Sequence, residues 1–427
     1  MRKAPSLTEF YRYPVTAGTA LIAIGVTLAW WAKVDISPLI ESPMIRHGQV
    51  WRLFTSIFPH VDILHLIFNL SWLWVFGTAV EENYGHFKSA GLFLLFSVIP
   101  NSLEYAFASG GVGLSGVGYG LFGLLWILSK RDERFRDAID TRTIQLFVGW
   151  FFFCVIATYM NFMNVGNVAH GAGAVLGILT GFAITLPERR AVMSSGILVL
   201  AIFSFWAATL GRPKVNLSAY GSYQECSQGF EALKANHDQE ALRWFKEATE
   251  YRSVDPTCRF DMAIVYENLK DYASALGIYR SLADRGDAAA QFRVGQLYEY
   301  GADRVPKDPA QAIAWYNKAA DHATPVVLNN IAWSYATSSD AKMRNPELAL
   351  KFARKAVSDG HAAPYMLDTL AEAYYANQQY EDAIKTEQQA LAQASQAEEK
   401  TNYTKQLSKF KLAQSGEKSA QKDDEED

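Results

Sequence analysis

Cysteine is scarce in this chain, and charge of one sign is nowhere concentrated into a binding surface. Three cysteines stand among 427 residues, and no cluster of Cys, His and carboxylate side chains completes a metal-ligand set. The formal net charge is −4, and basic residues form no stripe with interleaved aromatic residues. Nucleic-acid binding is therefore not indicated, and we expect neither a metal nor another cofactor.

Charged residues are also few in the first half, where long apolar segments rich in Gly, Phe and Trp alternate with short polar loops. A transmembrane helix needs about 20 predominantly apolar residues, and its backbone groups must be satisfied within the segment. We therefore predict an all-α, polytopic membrane domain over residues 1–212. The predicted spans are 15–32, 64–80, 89–108, 115–129, 144–160, 165–186 and 192–210.

Basic residues indicate the orientation of this bundle, because cytoplasmic loops carry an excess of Lys and Arg. Three basic clusters fall on one side of the membrane if the N-terminus is cytoplasmic. They are Arg2, Lys3 and Arg12, then Lys130, Arg131, Arg134, Arg136 and Arg142, and finally Arg189 and Arg190. Seven spans then place everything after Gly211 outside, in the periplasm or its equivalent. Without the seventh span, the soluble half would be cytoplasmic instead.

Strongly polar residues occur within the predicted spans at three places, and polar groups at membrane depth are candidates for a functional site. His65 and Asn69 are four residues apart and share one face of the second span. Ser115 opens the fourth span, and His170 lies near the start of the sixth. In the topology above, all four lie near the outer ends of their spans, so they can meet in one shallow cavity.

Small residues explain how Ser115 and His170 can approach from separate helices. Gly116 and Gly120 in the fourth span have the G-x-x-x-G spacing that lets helix backbones pack closely. The same spacing relates Gly173 and Gly177 in the sixth span. Glycine is common in membrane helices, but here each pair flanks a polar reactive residue.

The residue types indicate acyl-transfer chemistry. Neutral imidazole can remove the proton of a serine hydroxyl near neutral pH, which makes the oxygen a nucleophile. Because no Asp or Glu stands at comparable depth beside His170 in the sequence, we predict a Ser115–His170 dyad rather than a triad. Tyr119 is the candidate that holds the imidazole by ring packing. The backbone N–H of Ser115, the Asn69 amide and the His65 ring are candidate oxyanion donors, and Gly113 and Gly116 let the substrate backbone come close.

Each residue also has an ordinary structural interpretation. A single serine in a glycine-rich helix usually serves packing, and a single membrane His or Asn more often makes interhelical hydrogen bonds. His60 and His65 are five residues apart and do not share a helix face, which argues against a metal site. The joint pattern, rather than any one residue, favours catalysis.

This pattern resembles the rhomboid family of intramembrane serine proteases over roughly residues 45–190. The matching stretches are Trp51-Arg52-Leu53-Phe54-Thr55-Ser56 through His60, His65 and Asn69, then Gly113-Leu114-Ser115-Gly116, and then Ala169-His170 through Gly173 and Gly177. The resemblance implies the same dyad and oxyanion hole, Tyr119 stacked on the His, and a six-helix core to which this chain adds a seventh helix. It also implies that Trp51 and Arg52 order the first loop, and that His60 and Glu81 are structural.

The soluble half is repetitive. Gly229, Ala241 and Phe245 recur one unit later as Ala263, Ala275 and Tyr279. These offsets resemble tetratricopeptide repeats of about 34 residues, and the middle unit around Phe292–Ala320 resembles the Sel1-like variant. We predict an α-solenoid over residues 217–395 that binds a protein or peptide by analogy with its architecture. Residues 396–427 are Lys/Gln-rich, end in five acidic residues, and are predicted to be a disordered tail.

Cys154 lies within an apolar span, where a small buried side chain is the ordinary interpretation. Cys226 and Cys258 fall near the starts of neighbouring repeats, and we hypothesise that they form a disulfide if this half faces an oxidising compartment.

The leading hypothesis is an intramembrane serine endopeptidase of a bacterial inner membrane, acting on transmembrane protein substrates in the lipid bilayer and recruiting them or partners through its repeats. The rival hypothesis is a membrane-anchored scaffold whose protease core only binds helices. A metalloprotease would require sensitivity to chelators.

Overall fold

The computed structural model describes residues 4–108, 110–218, 221–358, 360 and 362–425, with side chains described up to Gly416. This part of the chain is helical, and its only β pairing is an isolated bridge between Ala302 and Val305. The predicted all-α class is confirmed. The α-helices are α1 Pro14–Trp31, α2 Arg52–Thr55, α3 Ile63–Phe107, α4 Ser115–Arg131, α5 Thr141–Tyr159, α6 Asn167–Thr185, α7 Arg190–Ala208, α8 Arg212–Val215, α9 Tyr223–Lys234, α10 Asp238–Thr249, α11 Pro256–Asn268, α12 Tyr272–Ala283, α13 Ala288–Tyr300, α14 Pro309–Asp321, α15 Pro325–Thr337, α16 Pro346–Ala356, α17 Pro364–Ala376, α18 Tyr380–Gln393 and α19 Ala397–Glu425. Short 3₁₀ helices are Leu7–Arg12, Ser37–Leu39, Pro43–Ile45, Glu133–Phe135 and Pro187–Arg189.

Within the described residues, five helical segments are long and apolar enough to cross a membrane: Pro14–Trp31, Ile63–Phe107, Thr141–Tyr159, Asn167–Thr185 and Pro187–Ala208. The long α3 contains the second and third predicted spans, which are separated at Gly85 by a non-helical backbone with φ 74° and ψ 171°. Residues with a side chain rarely adopt that backbone conformation. Glycine therefore allows the chain to turn sharply between the two spans. The buried α4, at 17 residues, lies inside this group and corresponds to the fourth predicted span.

The chain divides into two compact units, Met1–Gln228 with Lys246–Asp255, and Gly229–Phe245 with Pro256–Asp427. This division differs from the predicted boundary between residues 212 and 217. The first unit also takes in α8, the start of α9 and the end of α10. Arg212, 1% exposed, explains why, because its Nη1 donates to Glu225 at 3.1 Å and its Nε donates to the carbonyl of Tyr105 at 3.0 Å.

The second unit is built from successive helix pairs, among them α13 with α14 and α15 with α16. Its core consists of small and aromatic residues at repeating positions, such as Ala312 beside Tyr316, both fully buried. Gly295 leaves the space that the Tyr316 ring occupies, since a Cβ there would lie 2.5 Å from the ring. Polar N-caps such as Asp287 and Asp308 begin the helices.

Residues 397–425, predicted to be a disordered tail, instead form α19. The prediction weighed overall composition and overlooked the spacing of Tyr403, Leu407 and Phe410, which lie on one face of the helix. Phe410 is fully buried against Ala371 and Ala383, and Tyr403 packs with Leu367, Ala390 and Ala394. This apolar stripe anchors the helix on α17 and α18, because burying it offsets the entropy of ordering the segment. Of the acidic end, Glu426 and Asp427 lie outside the described residues.

Candidate active site

Ser115 is the first residue of α4, and the loop before it is fixed by hydrogen bonds to the first-loop region. The N–H of Gly113 donates to the carbonyl of Ser56 at 3.2 Å, and the N–H of Leu114 donates to Nε2 of His60 at 3.4 Å. Gly113 has φ 113°, and a Cβ there would lie 2.7 Å from Cε1 of His65. Glycine is therefore required at this position by both backbone conformation and space.

His60 lies in the loop before α3 and is completely buried. Burial, together with the neighbouring His65, lowers the pKa of His60 to about 4, so its imidazole is neutral at physiological pH. Its Nδ1–H donates to the carbonyl of Phe58 at 2.9 Å, which leaves Nε2 to accept from Leu114. The neutral ring thus supports the loop before Ser115, and its ring centroid lies 4.9 Å from that of His65.

His170 lies in the first turn of α6, is 4% exposed, and packs against the ring of Tyr119. The ring of Tyr119 stacks on the imidazole with a centroid distance of 4.6 Å and an interplanar angle of 25°. The hydroxyl of Tyr119 donates to the carbonyl of Phe147 at 3.2 Å, which fixes the ring from its other end. Among the described residues, nothing hydrogen-bonds Nδ1 of His170.

The backbones of α4 and α6 touch along their glycines. A Cβ on Gly173 would overlap the carbonyl of Gly116, and one on Gly177 would overlap the carbonyl of Gly120. Beside the serine, a Cβ on Gly116 would lie 3.6 Å from the methyl group of Ala169, the residue before His170.

The oxyanion candidates lie on the first turns of α3. The N–H of His65 donates to the capping carboxylate of Asp62 at 2.9 Å, and the side-chain amide of Asn69 donates to the carbonyl of His65 at 3.0 Å. Asn69 is 8% exposed. One amide hydrogen of Asn69 therefore serves the helix, and the second is available for a ligand.

The other residues singled out in the sequence have structural contacts. Arg52 holds the first loop, since its guanidinium donates to the carbonyls of Ser37 and Ile40. Trp51 is half exposed, and its indole donates to the carbonyl of Pro38 at 3.3 Å. Glu81 is buried and accepts hydrogen bonds from the N–H groups of Val15 and Thr16, both at 2.9 Å.

Sequence reasoning missed two buried carboxylates beside these elements, Glu41 and Glu104. Glu41 accepts from the N–H of Gly111 at 2.9 Å, in the loop before Ser115, and burial raises the pKa of Glu41 well above its usual range. Glu104 accepts from the N–H of Ala169 at 2.9 Å. An acid therefore does lie beside α6, contrary to the expectation from the sequence. Because its hydrogen bond is to the backbone, it does not complete a triad. The sequence did offer a signal for Glu41 and Glu104, because both are acidic residues in or beside an apolar stretch.

Among the described residues, no group of three or more His, Cys, Asp or Glu side chains could hold a metal ion. Cys154 is free and buried, in agreement with its predicted packing role. The disulfide between Cys226 and Cys258 stays a prediction.

Comparisons with known proteins agree with the residue pattern. Residues 47–187 match the rhomboid domain, and residues 218–250, 288–323 and 326–361 match the Sel1 repeat. The rhomboid proteases GlpG of Salmonella paratyphi A and Salmonella newport are each 32% identical over 167 residues, which are 38% of this chain and 57% of theirs. The chain thus spans little more than half the length of these relatives.

Among solved structures, a Sel1 repeat protein from Oxalobacter formigenes is 20% identical, with 39% of this chain and 73% of that chain covered, at a TM-score of 0.29. That score is too low to support an argument about this chain. The family matches, together with the five membrane-capable helices among the described residues, indicate an integral membrane protein in which a segment that matches the rhomboid domain is followed by segments that match the Sel1 repeat.

Proposed function

We propose that this protein is an intramembrane serine endopeptidase that cleaves peptide bonds in or near the transmembrane helices of its substrates. The observation that supports this proposal is the close contact between the glycines of α4, which begins at Ser115, and of α6, whose His170 imidazole stacks on Tyr119. A helix-binding scaffold would not need a nucleophile and a base at neighbouring positions, and its membrane interior would be cheaper to build from apolar side chains.

The proposed mechanism follows from the roles of these groups. His170 accepts the hydroxyl proton of Ser115 as its oxygen attacks the scissile carbonyl, and His170 then gives that proton to the leaving amine. In the second step, His170 accepts a proton from the water that attacks the acyl-enzyme, and it returns that proton to the oxygen of Ser115. The Ser115 backbone N–H and the side chains of Asn69 and His65 are proposed to stabilise the oxyanion. The unpaired Nδ1 of His170 supports a dyad, in which Tyr119 rather than a carboxylate orients the ring.

Cleavage of a reporter transmembrane segment in proteoliposomes tests the proposal. We expect Ser115→Ala to abolish cleavage and covalent labelling by a fluorophosphonate, while Ser129→Ala, at the other end of α4, leaves both unchanged. Ser129 donates to the carbonyl of Trp126 within its own helix at 3.0 Å. A chelator should have no effect on the parent protein. Equal cleavage by the parent and Ser115→Ala would favour the scaffold instead.

We also propose that the repeat domain recruits substrates or partners. Within the second unit, a cavity of about 390 Å³ lies between α11, α13 and α15 and combines aromatic and polar side chains. Its lining includes Phe260, Phe292, Arg293, Asn330 and Trp333. Trp333→Ala should weaken cleavage of a full-length substrate while sparing that of an isolated transmembrane segment. Equal activity of parent and variant on both substrates would refute recruitment through this cavity.

A further inference from the structure

Helix α6 begins without a capping side chain of its own. Its N-cap residue is Gly166, which makes no side-chain hydrogen bond to the first turn. The first N–H groups of a helix lack partners within the helix, and leaving them buried and unpaired is costly. His170 lies in this first turn. The group that accepts hydrogen bonds from the N–H groups of the turn therefore also fixes the backbone position of His170.

Glu104 of α3 supplies the missing cap from a distance of 65 residues along the chain. Its Oε2 accepts from the N–H of Ala169 at 2.9 Å, and the residue is 5% exposed. Gly166 makes room for it, since a Cβ there would lie 3.3 Å from the carboxyl carbon, and the position of a Cβ on Gly111 is 3.7 Å from Cγ, an ordinary contact. The carboxylate is therefore closely packed between the loop before Ser115 and the start of α6.

From this geometry we propose that Glu104 is a positioning residue for the general base. A carboxylate at a helix N-terminus is stabilised both by the exposed N–H groups and by the helix dipole. The Glu104 carboxylate fixes the first turn of α6 and thereby the position of His170 relative to Ser115. This inference rests on the proposed dyad but is separate from it, because the recorded hydrogen bond of Glu104 is to the backbone of Ala169 and not to the imidazole or the serine.

The energetic importance of such positioning follows from the geometry of proton transfer. A general base acts when its nitrogen lies within hydrogen-bonding distance of the hydroxyl. Displacement by about 1 Å can cost on the order of 100-fold in rate. Without the cap, the first turn of α6 can fray, and His170 is the catalytic candidate that this turn carries.

Glu81 provides a matched control, because it makes the same kind of contact at another helix. Its carboxylate caps the N-terminus of α1 through Val15 and Thr16, and it is as deeply buried as Glu104. Neither α1 nor its N-terminal turn carries a residue of the proposed site. Removing either carboxylate should lower stability, but only removal of Glu104 should change the chemical step.

The experiment compares the full-length parent, Glu104→Ala, Glu104→Gln, Glu81→Ala and Ser115→Ala in proteoliposomes, with rates expressed per folded molecule. We expect Glu104→Ala to lower kcat and the rate of fluorophosphonate labelling by about 10-fold or more, with KM changed by less than about twofold. Glu104→Gln keeps an acceptor oxygen and loses only the charge, so it should recover to within about threefold of the parent. Glu81→Ala should melt at a lower temperature with an unchanged kcat.

A kcat of Glu104→Ala within twofold of the parent would overturn the inference, as would equal losses in Glu104→Ala and Glu81→Ala. If Glu104→Ala does not accumulate as folded protein, Glu104→Asp carries the same test, because its shorter side chain withdraws the carboxylate from the N–H of Ala169. Cleavage that persists in Ser115→Ala would show instead that the proposed dyad has failed. The two failures are thereby distinguishable.

Discussion

The ring of Tyr119 has two separable contacts, one through its face and one through its hydroxyl. The face stacks on His170, and the hydroxyl donates to the carbonyl of Phe147. Stacking restrains the imidazole directly, whereas the hydroxyl acts only by restraining the tyrosine itself. If the proposed dyad is correct, the two contacts should differ in their effect on rate.

We expect Tyr119→Ala to lower kcat by about two- to tenfold, since an aromatic pair contributes about 0.5–1.5 kcal/mol beyond its burial. Tyr119→Phe keeps the ring over His170 and should retain most of the activity. Steady-state cleavage of a reporter transmembrane segment, normalised to folded enzyme, provides the measurement. Losses of the same size in both variants would mean that the hydroxyl, and not the ring face, is what matters.

Single residues also show how far the sequence predicts the site. Ser115, His170 and Tyr119 could be proposed from the sequence because polar residues are conspicuous in apolar spans and because Tyr119 follows the serine by one helical turn. Glu104 was missed because its partner is a backbone N–H, which every residue except proline carries. Such a contact leaves no mark in the sequence of the partner, so only the packing of α3 on α6 reveals it.

The contact between α4 and α6 depends on glycine at some positions and not at others. A Cβ on Gly177 would overlap backbone atoms of Gly120 in α4, and backbone cannot move aside as a flexible side chain can. Gly118, also in α4, has nothing within 4 Å of the position where a Cβ would lie. Glycine is therefore required for the helix contact at position 177 but not at position 118.

Gly177→Ala should lower the free energy of unfolding by about 1–3 kcal/mol or more, because it forces the helices apart. Gly118→Ala should be neutral or slightly stabilising, since alanine favours helix more than glycine does. Thermal or denaturant unfolding in detergent micelles, on matched preparations, would show the difference. Equal stability of the two variants would contradict a tight glycine contact between α4 and α6.

Helices of this bundle were predictable because apolar length is a strong signal, and all seven predicted spans lie largely within helices of the structure. The element that the sequence misrepresented is α19, where polar composition concealed an apolar stripe at helical spacing. Composition averages over faces, whereas burial depends on one face alone. The stripe of Tyr403, Leu407 and Phe410 would have been visible to a periodicity analysis.

For the molecule as a whole, the predicted sidedness depends on α7 and on the segment after it. Arg212 follows α7, is buried, and bonds the carbonyl of Tyr105 near the end of α3. Glu104, next to Tyr105, bonds the helix that carries His170. Within the first unit, the chain therefore leaves the bundle at the end of α3 that also contacts the start of α6.

Arg212, Glu225 and Tyr251 form a buried cluster that holds the segment after α7 in a defined conformation. Arg212 and Glu225 are an ion pair with side chains 1% and 0% exposed, and Tyr251 donates to Glu225 at 2.6 Å. Removing one partner of such a buried pair typically costs about 3–5 kcal/mol. The sequence predicted the seventh span from its apolar length, but this cluster joins residues from three separate segments. Their pairing could not be inferred from local pattern.

The proposed sidedness can be tested at Lys214, an exposed residue directly after Arg212 and Pro213. Fusion of an alkaline phosphatase at Lys214 should be active, and fusion of a green fluorescent protein should be dark, because the former requires an oxidising exterior and the latter a cytoplasmic location. The same exterior should allow Cys226 and Cys258 to pair. The denatured, non-reduced protein should then show a single free thiol, that of Cys154, which the structure leaves free.

The fusion assay and the thiol count both depend on the compartment in which the repeats lie, so their combination is more informative than either alone. An active phosphatase with one thiol agrees with a seventh span and with an oxidising environment for the repeats. A fluorescent fusion at Lys214 would place the repeats in the cytoplasm and contradict both the topology and the disulfide. An active phosphatase with three thiols would retain the topology and refute only the pairing, because location permits a disulfide but does not bring the two sulfur atoms together.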